Sequence, residues 1–129
     1  MRSRRRHWLG LPGDDKGNTA VEFALVFPMF LAVIVGGFYV AQLAFAASSL
    51  HYAVEAGARC AAINSTTCSN STTTASYART RFVALGGNAP TFTSSNAACG
   101  HQVSGTMTFV LRTGITKINV PLSAQSCFP

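Results

Sequence analysis

Four acidic side chains, three histidines and four cysteines are the groups in this 129-residue sequence whose types bear on catalysis, metal binding or cross-linking. Beyond residue 47 the acids reduce to Glu55 alone. That excludes a paired-carboxylate mechanism, an acidic metal site and most catalytic triads from the distal part of the chain. His51 and His101 stand isolated in sequence and read as ordinary surface or partly buried histidines. No enzyme, metal or cofactor is expected. Cys60, Cys68, Cys99 and Cys127 are even in number and contain no CxxC pair, so disulfides in an oxidising compartment are expected and zinc is not. Of three possible pairings we favour Cys60 with Cys68, eight apart across a polar loop, and Cys99 with Cys127, which flank the last β-rich stretch.

The elements that must position these groups begin with a long apolar run. Residues 23–47 carry no charge, and only Pro28, Gly36, Gly37 and Gln42 among the 25 fall outside the apolar class. As a helix this run is roughly 37 Å long, more than the ~30 Å hydrocarbon core of a bilayer. The 82 residues that follow are too few and too polar to wrap it on every side. A single membrane span is therefore predicted over 23–47. Arg2, Arg4, Arg5, Arg6 and Lys16 precede it, which places the N-terminus in the cytoplasm and assigns this basic cluster to topology, with no nucleic-acid partner expected. The run exceeds the 7 to 15 residues usual for a cleaved secretory signal, although Ala44-Phe45-Ala46 imitates a signal-peptidase site.

Glu22 stands at the lip of the run, where a lone acid inside a bilayer costs on the order of 2.5 to 3.5 kcal/mol. A helix N-terminus lowers that cost through its dipole, which accounts for a first-turn acid but not for Gly17 five residues earlier or Phe23 directly after. Gly17, four residues, then Glu22-Phe23 and an apolar helix is similar to the class III, type IV-like prepilin signal. More narrowly, the block from Gly17-Asn18-Thr19 to Ala24-Leu25-Val26, with Pro28 after it and Glu55-Ala56-Gly57-Ala58-Arg59 further on, resembles the TadE-like proteins of the Tad (Flp) pilus system. The resemblance implies cleavage by a prepilin peptidase between Gly17 and Asn18, a membrane aspartyl enzyme. It also implies that Glu22, then fifth in the mature chain, pairs with a free amino terminus as helices stack, burying two charges together. Asp14 and Asp15 dilute the positive charge ahead of the cut.

Past the span, Leu50, Ala53, Val54, Gly57, Ala58, Ala61 and Ala62 recur at helical spacing, so the helix is expected to run on to about Ile63, some 45 residues from Thr19. Glu55 and Arg59 are placed for an i,i+4 ion pair. Ala32 with Gly36, and Gly37 with Ala41, are small-xxx-small pairs that permit close helix packing. Pro28 removes one helical hydrogen bond and predicts a local bend. Nine Ser or Thr in residues 65–76 predict a loop. A short helix through Tyr77, Ala78, Arg81, Phe82 and Leu85 follows, ended by Gly86-Gly87 and Pro90. Val103, Gly105, Met107, Phe109 and Leu111, then Ile118, Val120 and Leu122, alternate with polar residues on either side of Thr113-Gly114, which predicts an antiparallel hairpin packed on the helix. His101 would sit at a strand edge. Asn64-Ser65-Thr66 and Asn70-Ser71-Thr72 match the glycosylation pattern but arise readily in Thr-rich loops.

The expected fold class is α+β: a leader over 1–17, a long helix over 18–63, and a small disulfide-closed head over 64–129. The expected function is that of a minor pilin or pseudopilin, single-pass in the bacterial inner membrane with the head in the periplasm. Its expected partners are prepilin peptidase, other Tad pilus subunits, the inner-membrane assembly platform and membrane lipid. The alternative is a signal-anchored periplasmic binding or adhesion protein whose helix only tethers it and which has no use for Gly17 or Glu22.

Overall fold

A computed structural model of the protein describes residues 15–84, 87–112, 114 and 116–129, with the side chains of Asp15, Lys16 and Asn18 outside the described groups. The basic cluster at Arg2, Arg4, Arg5 and Arg6, Asp14, Leu85 and Gly86 at the expected end of the second helix, and Thr113 of the expected turn lie outside the described residues. The elements are α1 (Asp15–Ile63), α2 (Ser71–Arg81), β1 (Thr91–Ala97), β2 (Gly100–Arg112) and β3 (Lys117–Phe128). The chain forms two compact units, Met1–Gly36 and Gly37–Pro129.

In the first unit the described residues are helical, and apolar side chains including Val21, Phe23, Leu25, Met29, Phe30 and Val33 are exposed. Pro28 lies within α1. A helix apolar on all sides has no polar face to offer water and belongs in a protein core or in lipid. Among the described helices, Thr19–Ile63 is long and apolar enough to cross a membrane once.

The second unit is an α+β head. Its sheet is antiparallel in the order β1-β2-β3, with β2 in the centre. The period of two in β2 is realised, since Val103, Gly105, Met107 and Phe109 are buried while Thr106 is exposed. Phe92 of β1 and Ala124 of β3 flank Gly105 on the same face. Against this face lies the distal stripe of α1, with Ala46, Leu50, Ala53, Val54 and Ala58 buried, joined by Ala78 of α2. Each large side chain sealed here, such as Leu50, Val54 or Phe109, contributes about 1.5 to 3 kcal/mol relative to exposure. Gly105 is needed at the crossing. A Cβ there would stand 2.8 Å from a Phe92 ring carbon and 3.0 Å from Leu50 Cδ1.

Individual contacts fix how β2 runs along α1. The Tyr39 hydroxyl donates to the Arg112 carbonyl at 2.9 Å, Leu50 meets Gly105, and Gly57 lies against Val103. The eighteen helical steps from Tyr39 to Gly57 rise about 27 Å, and the nine strand steps from Val103 to Arg112 rise about 30 Å. The two elements thus lie antiparallel and in step over that length. Gly114, with φ of +86°, makes the turn that returns the chain into β3.

The structure departs from the sequence reading in three places. It has a third strand, β1, over TFTSSNA, whose single buried apolar residue, Phe92, leaves no period to detect. The segment becomes a strand because β2 offers it a ladder from Thr91↔Thr106 to Ala97↔Gly100. Helix α2 starts at Ser71, inside the expected loop, and Phe82 is its C-cap. Its start is set by Asn70, whose side chain accepts from Thr73 N at 2.9 Å while the Thr73 hydroxyl accepts from Asn70 N at 3.1 Å, a reciprocal cap. Finally, His101 stands near the start of the central strand, paired with Asn96 on one side and Phe128 on the other.

Candidate functional site

The N-terminal motif lies within α1. Gly17, Glu22 and Phe23 are exposed, and the Phe23 ring stacks on Phe27 one turn on, with centroids 5.1 Å apart. That stacking fixes one face of the helix next to Glu22 by the i,i+4 rule. Glu22 has no ion-pair partner among the described residues. A Cβ built on Gly17 meets nothing within 4 Å, and the same holds for Gly36 and Gly37. Glycine in a helix interior costs about 1 kcal/mol relative to alanine, so within this chain the three glycines weaken the helix with no packing return. Ala32 and Ala41 are exposed as well.

In the head, Cys60 is bonded to Cys68 and Cys99 to Cys127. The first bond ties the end of α1 to the loop before α2, and the second ties the β1–β2 turn to the end of β3. Between α1 and α2 an open groove of about 570 Å³ is lined by Tyr52, Glu55, Arg59, Tyr77 and Arg81 among others. Its cations are already engaged. The Arg81 guanidinium lies 4.8 Å from the Tyr77 ring centre and donates to the Tyr77 hydroxyl at 2.8 Å. Arg59 lies over the Phe128 ring at 5.7 Å and forms no ion pair with Glu55, which corrects the i,i+4 pairing expected from spacing. The aromatic face at the end of β3 competes for the guanidinium, a contact worth about as much as an exposed ion pair. No group of three or more His, Cys, Asp or Glu is placed to hold a metal ion among the described residues. His51 is exposed and His101 partly buried.

The two glycosylation-like asparagines have local work that sequence reading missed. Asn70 caps α2, and the Asn64 side chain accepts from Thr67 N at 3.0 Å to close the turn after α1. The signal was available: an Asn three residues before a Thr at the head of a helix is a cap pattern.

Among the described residues, the N-terminal segment is a helix carrying an acid without an ion-pair partner. Residues 17–59 match the family model described as TadE-like protein. Over this stretch, a third of the chain, the sequence is similar to TadE-like proteins. No curated protein and no solved structure matches it significantly. The TadE-like stretch opens at Gly17 and closes at Arg59, so it covers the exposed apolar part of α1 and the stripe that carries the head, and it stops short of the sheet. The likeness points to the Tad pilus as the setting.

Proposed function

We propose that this TadE-like protein is a minor pilin or pseudopilin that supports biogenesis of the Tad (Flp) pilus and adherence through it. In this reading α1 inserts once into the inner membrane with the basic N-terminus cytoplasmic and the head periplasmic, where its disulfides form. Prepilin peptidase removes residues 1–17, and Asn18 becomes the new amino terminus. The observation that carries the proposal is Glu22: an acid at the fifth position after a glycine that packs against nothing, at the head of an exposed apolar helix, with no partner among the described residues. A carboxylate so placed is stabilised when an ammonium group joins it, because burying the pair avoids the several kcal/mol of burying either ion alone. Its own or a neighbour's Asn18 amino terminus is the partner in stacked helices. Phe23 and Phe27 present an aromatic step beside it, and Ala32, Gly36, Gly37 and Ala41 leave room for close approach of other helices.

The test is the mass of the protein recovered from membranes. Processing predicts a chain beginning at Asn18, whereas a start at Met1, or at Ser48 after signal-peptidase cleavage, favours the tethered adhesion protein and defeats the pilin reading. Pilus preparations probed for this chain then separate a filament subunit from a component of the assembly platform.

A further inference from the structure

The cationic tip of the β2–β3 hairpin is an exposed cluster that the assembly reading leaves without work. Arg112 and Lys117 are the last pair of the β2–β3 ladder, directly opposite one another and both exposed. Like charges at opposed ladder positions destabilise a hairpin. Glu55, the acidic side chain of residues 37–129, does not relieve them, since it lies sixteen residues along α1 from Tyr39, about 24 Å of helix away. The tip is fixed at the level of Tyr39 by the hydrogen bond from its hydroxyl to the Arg112 carbonyl.

That level is also where the lipid-facing part of α1 has to end. From Leu43 onward the helix turns side chains into the head, with Ala46 and Leu50 fully enclosed. The outer edge of β3 carries unpaired backbone groups, which hydrocarbon does not tolerate. The apolar run of 23–47 therefore divides between two environments. The nineteen residues from Ala20 to Phe38 rise about 28 Å, enough for the ~30 Å hydrocarbon core, and those from Tyr39 onward run alongside the head, with Leu43 and Ala46 turned into it and Val40 and Phe45 exposed.

We propose that the β2–β3 tip is a lipid-headgroup contact: Arg112 and Lys117 bind the phosphates of anionic phospholipids at the membrane surface, beside the exposed side chain of Ile118. This rests on the insertion of α1 proposed above. Anionic headgroups supply the countercharge that the opposed cations lack, and Ile118 offers an apolar side chain to the interface.

The experiment uses the full chain in vesicles, with Trp8→Phe removing the sole tryptophan and single reporters placed by Phe30→Trp, Ile118→Trp or Thr66→Trp. Quenching is read with lipids brominated high or deep on the acyl chain, in phosphatidylcholine alone or with about one third phosphatidylglycerol. The Ile118 reporter is expected to be quenched by shallow bromines roughly threefold more in anionic than in neutral vesicles. Arg112→Gln with Lys117→Gln, or high salt, is expected to abolish that difference. Equal quenching in both vesicle types overturns the proposal, as does an Ile118 reporter no more quenched than the one at Thr66 while Phe30→Trp is quenched deeply. A Phe30 reporter that no lipid quenches overturns insertion itself, and the contact with it.

Discussion

Glycines in this chain divide into those the fold requires and those it does not, and substitution separates the two. Gly105→Ala places a methyl group 2.8 Å from the Phe92 ring and 3.0 Å from Leu50, at the closest approach of sheet and helix. It is expected to cost about 1 to 3 kcal/mol, seen as a melting temperature lower by several degrees in detergent. Gly17→Ala meets nothing and leaves the helix intact or slightly firmer, yet it is expected to prevent removal of the leader, so that the membrane-derived chain keeps Met1. Glu22→Ala is expected to leave processing intact and block incorporation; normal piliation in that variant removes the pairing role. Gly17 and Glu22 are proposed from local spacing alone. In the sequence Gly105 is only a beat in a strand pattern, because Leu50 and Phe92, which demand it, are distant in sequence and meet it only through the fold. Spacing likewise pairs Arg59 with Glu55, while Phe128, 69 residues on, holds it.

Elements form here by two routes, and only one of them is visible locally. The distal stripe of α1 and the alternation in β2 announce themselves by period, and both appear where that period puts them. Strand β1 and the first half of α2 carry no such period. The strand exists because β2 needs a partner on its open edge, and the helix because Asn70 and Thr73 close its N-terminus and bury Thr74 and Ala78. A run of Ser and Thr is poor helix material, so α2 depends on its cap more than an alanine-rich helix does. Asn70→Ala is therefore expected to destabilise the head by about 1 kcal/mol, a lower denaturant midpoint at unchanged slope, while Asn70→Asp retains most of the stability. A slope that changes as well signals loss of two-state unfolding in place of a lost cap.

At the scale of the whole molecule, a composition of 48% apolar residues serves a core of small size, since much of the apolar surface is exposed along α1. The head's sheet has three strands and one well-covered face, and such a sheet is stable only with helices and cross-links behind it. The cross-links differ in reach. Cys60 and Cys68 are separated by 8 residues, Cys99 and Cys127 by 28. Loop-closure entropy assigns about 2.5 kcal/mol to the first bond and about 3.5 kcal/mol to the second. The longer bond also holds together all three strands, because it joins the β1–β2 turn to the end of β3, whereas the shorter one fastens a loop between helices already packed on the core. Replacing Cys99 and Cys127 by Ser is therefore expected to lower the melting temperature more than replacing Cys60 and Cys68, and to expose the buried Phe109 and Val103 to hydrogen exchange on the sheet. Replacing Cys60 and Cys68 is expected to leave exchange in β2 near its original rate and to loosen the N-terminal turn of α2. Equal losses from the two pairs mean that local strain or residual structure in the unfolded chain, and not loop length, governs what each bond contributes.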